Sequence, residues 1–441
     1  MGQSWVEYLP SFVRGKIHIR QDVVSNIGWQ AIDNLVRLGV GLLLSIWVAR
    51  YLGPERFGLL SYALALVALL SPLATLGLDD IAVRNLVREP AVKNAVLGTA
   101  CLLKLLGGLA SLAVAVAVIL ALRPADRLSQ WLVAIIAAGA VFQAVNVIEF
   151  WFNAQVRAKY IVLAKNAAFL LSALVKIGLI LSGAPLVAFA WVATLEIAAG
   201  SGGLIVAYRY RGDRLRQWHA SWETAKSLLR DSWPLMFSCI VIMFYLRIDQ
   251  IMLAELVGSE EVGVYSVAVR LAEAWFFVPT IIYWSLLPTL VEAKATSDAL
   301  FHAKLQKYYN LMALLAYAIA VPVTLLAPWL VRTLFGAEFA RAGAMLAVLM
   351  WANLFTYLEI ARSAYFNVMN WNRVYLATLA LGAALNVLLN WLLIPRYGGL
   401  GAAIASCVSY WFSTHGACFL YKPLHRTGFM LSRALLWPKV W

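Results

Sequence analysis

The sequence predicts an all-α polytopic membrane protein, with about 12 transmembrane helices in two six-helix, pseudo-symmetric halves around a central cavity. Three observations predict it. Of 441 residues, 63% are hydrophobic and only 13% charged, and the mean hydropathy is +0.78, far from soluble usage. Twelve apolar runs are each long enough, at about 20 residues, to cross a ~30 Å hydrocarbon core as a helix. The third observation is a repeat: Ile46–Leu66 lies on Ile251–Leu271 without a gap at an offset of 205, with eight identical pairs including Gly53/Gly258 and Gly58/Gly263. In both copies a short loop joins two long apolar segments, so the repeated unit is a helical hairpin.

Residues 1–27 are polar and basic with no apolar h-region, and read as an amphipathic cytoplasmic lead-in rather than a signal peptide. Helix 1 (28–50) carries Asp33 and Arg37, four apart and so on one face. The loop Leu52–Gly58 leads to helix 2 (57–78), which contains Pro72, and helix 3 (96–122) contains Lys104. Helices 4–6 (130–152, 160–182, 184–207) hold Glu149, Lys165, Lys176 and Glu196. They complete an N-terminal lobe, 28–207. A basic linker, 208–232, follows with Arg209, Arg211, Arg214 and Arg216. The C-terminal lobe, 233–421, opens with helix 7 (233–255), bearing Arg247 and Asp249, and helix 8 (262–290), bearing Arg270, Glu273 and Pro279. Helices 9–12 cover 308–334, 343–368, 373–394 and 399–421, with Glu359 and Arg362 on helix 10, and a basic tail runs over 422–441. Pro72 and Pro279 sit at nearly matching depths. They either kink the cavity-lining helices or reflect the ordinary tolerance of proline in membranes. Gly53, Gly58, Gly258 and Gly263 are expected at turns that let the paired helices approach closely.

Each half has an even number of helices, so both enter the membrane in the same direction, as parallel repeats about an axis along the membrane normal. Of the 36 Lys and Arg, 22 fall on the segments that are inner if the N-terminus is cytoplasmic, and 7 on the outer loops. That excess places both termini inside. It also accounts for the net charge of +14 as loops facing an anionic leaflet, so no nucleic-acid partner is expected. The four cysteines are read as small apolar core residues, and the sequence points to no cofactor and no metal.

A charge at the bilayer centre costs at least ~2.5–3.5 kcal/mol on insertion scales, so each buried one needs a partner or water. Thirteen charged residues are candidates for such intramembrane positions. Glu149, Lys165 and Lys176 lie near helix ends, within reach of the interface. Asp33 with Arg37, Arg270 with Glu273, and Glu359 with Arg362 are spaced to pair within their own helices. Arg247 and Asp249 are two apart and diverge by about 200°, so each must find a partner elsewhere. By residue rise, Arg247 and Arg270 lie about 12–13 Å below the outer surface. Together with Arg37 and Lys104 they suggest either one cationic cavity, suited to an anion and to phosphate above all, or a set of separate structural ion pairs.

The stretch Val48–Gly58, followed by Leu76-Gly77-Leu78-Asp79 and Val83-Arg84-Asn85-Leu86, resembles the Wzx-like polysaccharide flippases of the multidrug/oligosaccharidyl-lipid/polysaccharide exporter superfamily. The motif positions that carry over are Arg50, Gly53, Gly58, Asp79 and Arg84, with Gly258 and Gly263 as their repeat mates. The resemblance implies a multi-pass protein of the bacterial inner membrane that moves a polyprenyl-diphosphate-linked oligosaccharide to the outer leaflet by alternating access, for O-antigen or exopolysaccharide synthesis. Its partners would be that lipid, the bilayer, H⁺ or Na⁺, and other polysaccharide-assembly membrane proteins. Moving the diphosphate outward is favoured by an inside-negative potential, by ~2.3 kcal/mol per charge per 100 mV. The return of the emptied carrier, with its exposed cations, is what needs coupling. Asp33, Asp249 and Glu273 are the candidates to bind the coupling ion. Two rival readings remain. A cation-coupled drug exporter of the same superfamily would want an acidic cavity without these arginines. A membrane enzyme of polysaccharide assembly would want a long extramembrane loop with catalytic residues, and the outer loops here are about ten residues long.

Overall fold

Gly53 is where the first two predicted helices turn into each other. The structure, a computed structural model, describes residues 21–439. Most of the expected lead-in 1–27 thus lies outside the described residues, and its last part already belongs to the first helix, α1 (Gln21–Thr75). Laid straight, 55 residues would reach about 80 Å at 1.5 Å per residue, far more than a bilayer core requires. Gly53, at φ 71° and ψ 171°, folds it back, in a conformation that costs a residue with a Cβ. Asp33 and Arg37 before the turn, and Thr75 and Asp79 beyond it, border cavities that share Gln143, Asn146 and Lys165. The two limbs therefore return to the same level.

The chain continues through α2 (Asp79–Arg88), α3 (Lys93–Leu122), α4 (Arg127–Phe142), α5 (Val147–Ala154), α6 (Ala158–Leu181) and α7 (Leu186–Tyr210). We call α1–α7 the N-terminal lobe. The C-terminal lobe comprises α8 (Trp222–Leu256), α9 (Ser259–Glu273), α10 (Phe277–Thr296), α11 (Asp298–Phe335), α12 (Ala342–Met369), α13 (Asn372–Thr414) and α14 (His425–Leu436). Among the described residues there is no strand. Ten continuous helical stretches among the described residues are long and apolar enough to cross a membrane. Both α1 and α13 supply two passes, which makes twelve. In α13 the turn is Gly398, at φ 55° and ψ −136°. Its limbs then pack antiparallel, Gly382 against Ser413, Asn386 against Ser409 and Gly401 against Leu393, each pair placed symmetrically about that glycine.

Four expectations change. Predicted helix 8 is not continuous: α9 ends at Glu273, a turn with Trp275 N–H donating to Ala272 O and Phe276 N–H to Glu273 O follows, and α10 starts at Phe277. Pro279 sits in the first turn of α10, where a missing N–H removes no helix bond. Predicted helix 4 is likewise interrupted, by a 3₁₀ turn at Gln143–Asn146. The linker 208–232 is shorter and not free. α8 begins at Trp222, Asp213 pairs with Lys93, and Ser221 N–H donates to Thr99 Oγ1 at 3.0 Å. The tail forms α14, whose Leu431 and Ala434 are buried and whose Leu435 carbonyl accepts from Tyr317 at 2.9 Å.

The apolar core shows how the lobes meet. At the Gly53 end, residues of both lobes (Ala49, Phe57 and Tyr62 with Leu253, Val264 and Phe339) form one buried cluster. At the opposite end there are two cores, Phe301, Tyr309 and Phe366 in one and Leu97, Phe150 and Tyr208 in the other, the second joined by Leu228 of α8. The lobes thus share one core at the Gly53 end, whereas at the other end the first half of α8 packs on the N-terminal lobe, with Gly77 against the backbone of Ser232 and Met236. The repeated hairpins carry the fusion at the Gly53 end. A Cβ on Gly58 would lie 1.7 Å from Ser259 O, and one on Gly263 would lie 1.9 Å from Pro54 O. Ser259 is the repeat mate of Pro54, so the contact is reciprocal. The expected turns exist at Gly53 and at Gly258 (φ 125°). The close approach at Gly58 and Gly263, however, joins the two lobes rather than the two helices of one hairpin.

Candidate functional site

Directly beneath this fused end lies a pocket of about 410 Å³ between the second limb of α1, α8 and α9. Small residues of α1 (Ser61, Ala65 and Ala68) leave the space, and Arg247, Arg270 and Glu273 fill its wall with charge. Arg247 is bidentate on Glu273, at 3.1 and 3.4 Å. Arg270 donates to Ser45 Oγ at 2.7 Å and lies over the Phe57 ring, 5.1 Å from its centroid. A hydroxyl and an aromatic face orient a guanidinium without neutralising it. Among the described residues Arg270 forms no ion pair, so the pocket keeps an excess positive charge. Arg270 and Glu273 do not pair within their helix, contrary to the expectation from their spacing. The helix ladder stops at Glu273, and its side chain turns to α8.

Asp249, two residues from Arg247, points the other way, as the i+2 spacing requires. It is 3% exposed and enclosed wholly by the C-terminal lobe. Asn390 Nδ2 donates to it at 2.5 Å, Tyr265 Oη at 3.0 Å, and Ser406 Oγ also donates. Asn386 accepts from Asn390 at 2.9 Å, and Asn390 Oδ1 is buried without a partner. No cation among the described side chains pairs with Asp249. A buried carboxylate so placed is costly while charged, and its surrounding oxygens suit a proton or a hard cation.

The structure does not bring Arg37 and Lys104 to this pocket. Arg37 is paired with Asp33 at 2.9 Å and lies over Phe169. Lys104 is paired with Asp79 at 3.2 Å and lies over Phe150. Both sit in the N-terminal lobe beside separate cavities, so the anticipated cluster of four cations divides into two pairs. Lys165 meets Glu149 at 2.7 Å and Lys176 meets Glu196 at 3.2 Å, rather than reaching for the interface. Glu359 and Arg362 pair locally at 2.8 Å, as their spacing suggests.

The motif residues hold the lobes together. Arg50 donates to Thr333 O of α11 at 2.5 Å, and Arg84 pairs with Asp231 at the start of α8. A further clasp at the Gly53 end was not anticipated: Arg123 bonds Glu255 Oε1 and Ala254 O, both at 2.9 Å, and covers the Tyr62 ring at 4.4 Å. Its neighbour Asp126 caps α4 through Ser129. Burial alone would raise that carboxyl, but the Ser129 donors and the Arg123 charge outweigh it and hold it below its ordinary range. The sequence did carry a signal for the Asp249 partners. Asn386 and Asn390 are four apart in an otherwise apolar run, and Ser406 and Ser409 follow on its partner limb. The Arg123 clasp had no such signal, because its partner is 132 residues away.

Residues 23–294 match the family model described as polysaccharide biosynthesis protein. A probable flippase, AglR, of Haloferax volcanii is 27% identical over 179 residues, covering 38% of this chain and 36% of that protein. This match thus spans about a third of the relative's length. Among solved structures, lipid II flippase MurJ in an inward closed conformation aligns with a TM-score of 0.73 at 13% identity, over 92% of this chain and 90% of that one. An inward-facing multidrug resistance MATE family transporter of the MOP superfamily aligns with 0.69 at 18% identity, over 90% and 99%. An outward-facing one gives 0.61, over 92% and 96%. At these identities the structures speak for the fold alone.

Proposed function

This chain belongs to the polysaccharide biosynthesis protein family, and on that premise we propose that it carries a polyprenyl-diphosphate-linked oligosaccharide from the inner to the outer leaflet by alternating access. The observation that carries the reading is the unneutralised guanidinium of Arg270 in a pocket between the lobes, with Arg247 beside it. Two phosphates bring about two negative charges. Arg270 takes one bidentately, and Arg247 can exchange Glu273 for the other, since both partners of that pair already face the same space. Arg37 and Lys104, neutralised in the N-terminal lobe, are assigned no diphosphate contact.

The basic-residue count supports the Gly53 end as the outer one and both termini in the cytoplasm, which suits the proposed multi-pass protein of the inner membrane. Fusion of the lobes at that end then corresponds to a state closed outward. Cargo enters from the cytoplasmic side, binds beneath the closed end, and leaves when the hairpin contact parts. Asp249 is the station for H⁺ or Na⁺, bound while the empty carrier returns. Asp33 and Glu273 are engaged by arginines and serve as charge-network partners. The excess of arginine at the pocket disfavours the drug-exporter alternative.

The test is surface polysaccharide in cells carrying variants. The double variant Arg247→Ala, Arg270→Ala is expected to reach the membrane normally and to export less than a tenth of the wild-type polymer. Arg270→Glu should export none, while Arg270→Lys keeps part, because a point charge survives when the fork is lost. Full export by the double variant would overturn the mechanism.

A further inference from the structure

The N-terminal lobe contains two cavities that the mechanism so far leaves idle, of about 370 and 340 Å³. They adjoin, sharing Gln143, Asn146 and Lys165, and their combined size lies within the range of roughly 300–1,000 Å³ typical of ligand pockets. Every cation in their walls is paired, Arg37 with Asp33, Lys165 with Glu149 and Lys104 with Asp79, and Asp80 and Glu196 add negative charge. An anion gains little from cations already neutralised at 2.7–3.2 Å. A neutral ligand with many hydroxyls gains a dense array of donors and acceptors.

The shared wall is where the helix ladder is broken. The 3₁₀ turn Gln143–Asn146 interrupts a membrane pass, a feature that often marks a functional position. Among the described residues the Gln143 amide makes no side-chain hydrogen bond, and Asn146 only accepts one, from Ser201 at 3.0 Å. Both N–H donors of each amide remain for a ligand, and such amides match sugar hydroxyls because they donate and accept at once.

The position fits as well. Arg37 precedes Ser45, the partner of Arg270, by eight residues on one limb of α1. On the other limb Thr75 follows Ala68 of the diphosphate pocket by seven. At 1.5 Å per residue the cavities lie about 10–12 Å from that pocket, displaced away from the closed end. A sugar chain whose diphosphate is held at Arg270 trails in that direction.

We infer that the twin cavities bordered by Gln143 and Asn146 are the sugar subsite, taking neutral, hydroxyl-rich residues of the lipid-linked oligosaccharide. This inference rests on the diphosphate reading of the Arg247–Arg270 pocket. The experiment compares two probes on the purified full chain by native mass spectrometry: undecaprenyl diphosphate, and undecaprenyl diphosphate bearing a neutral trisaccharide. Wild type should bind the sugar-bearing lipid about tenfold more tightly, the worth of one or two net hydrogen bonds. Gln143→Leu, Asn146→Leu should bind both probes equally, with affinity for the bare diphosphate unchanged. If the double variant is not recovered folded, Gln143→Leu alone should lose part of the preference. A wild-type protein without the preference, or a folded variant that retains all of it, overturns the subsite while leaving the diphosphate reading intact. Wild type binding neither probe overturns the diphosphate reading, and the subsite with it.

Discussion

At the scale of single residues, Gly58 and Gly263 have the closest approaches of any glycine among the described residues. What faces their Cα atoms is backbone, at 1.7 and 1.9 Å from where a Cβ would sit, and backbone cannot swing aside as a side chain does. Gly58→Ala is therefore expected to part the lobes at the Gly53 end without unfolding either. The check is a cysteine at Ala65 in a cysteine-free background, whose labelling by an impermeant maleimide from outside should rise several-fold while the yield of folded protein changes little. Equal labelling with and without the alanine would mean that this contact does not seal the pocket. The two arginines of the pocket were legible from the sequence, because charge inside an apolar run is unusual enough to single them out. Their partners were not. Helical spacing offered Glu273 to Arg270, and only the end of α9 at that residue sends the carboxylate to Arg247.

Among the elements, α13 shows how one residue sets a pair of helices. Gly398 combines φ 55° with ψ −136°, a region essentially confined to glycine, and a Cβ there would also lie 2.8 Å from Glu261 Oε1. Gly398→Ala should lower stability by about 1–3 kcal/mol, read as an earlier thermal transition of the detergent-solubilised protein. An unchanged transition would mean that the turn relaxes freely. Element existence was written plainly in the apolar runs, and all twelve passes could be counted from them. Interruptions inside a pass were not legible. The breaks at Gln143–Asn146 and at Ala274–Phe276 contain neither glycine nor proline, so no residue in them marks the interruption.

For the whole molecule, the division of the core decides the state. One apolar cluster spans both lobes at the Gly53 end, whereas the opposite end has two, one of them joined by Leu228 of α8, so the Gly53 end is the shared edge at which the lobes would part. Arg123 and Glu255 bridge that edge. Replacing both by cysteine in a cysteine-free background and joining them with a short bifunctional maleimide should arrest export, and a reducible linker should restore it on reduction. Export that continues through the cross-link would show that this edge need not open. The division into two halves was legible in the repeat at an offset of 205. Which faces of the copies touch was hidden, because a pseudo-two-fold contact is a relation between distant segments.

One turn of α8 carries Arg247 on the face toward the pocket and Asp249 on the face toward the lobe interior. On the proposed reading, cargo and coupling ion thus bind opposite sides of a single rigid piece of backbone, and neither can be held without affecting the geometry offered to the other. Thermodynamic linkage then makes the influence mutual: the factor by which the ion changes cargo affinity equals the factor by which cargo changes ion affinity. A Na⁺ or pH titration with and without undecaprenyl diphosphate should therefore report the same ratio as the reverse experiment, and Asp249→Asn should bring that ratio to one. An insoluble, scarce cargo can in this way be weighed through a small ion, with α8 as the beam of the balance.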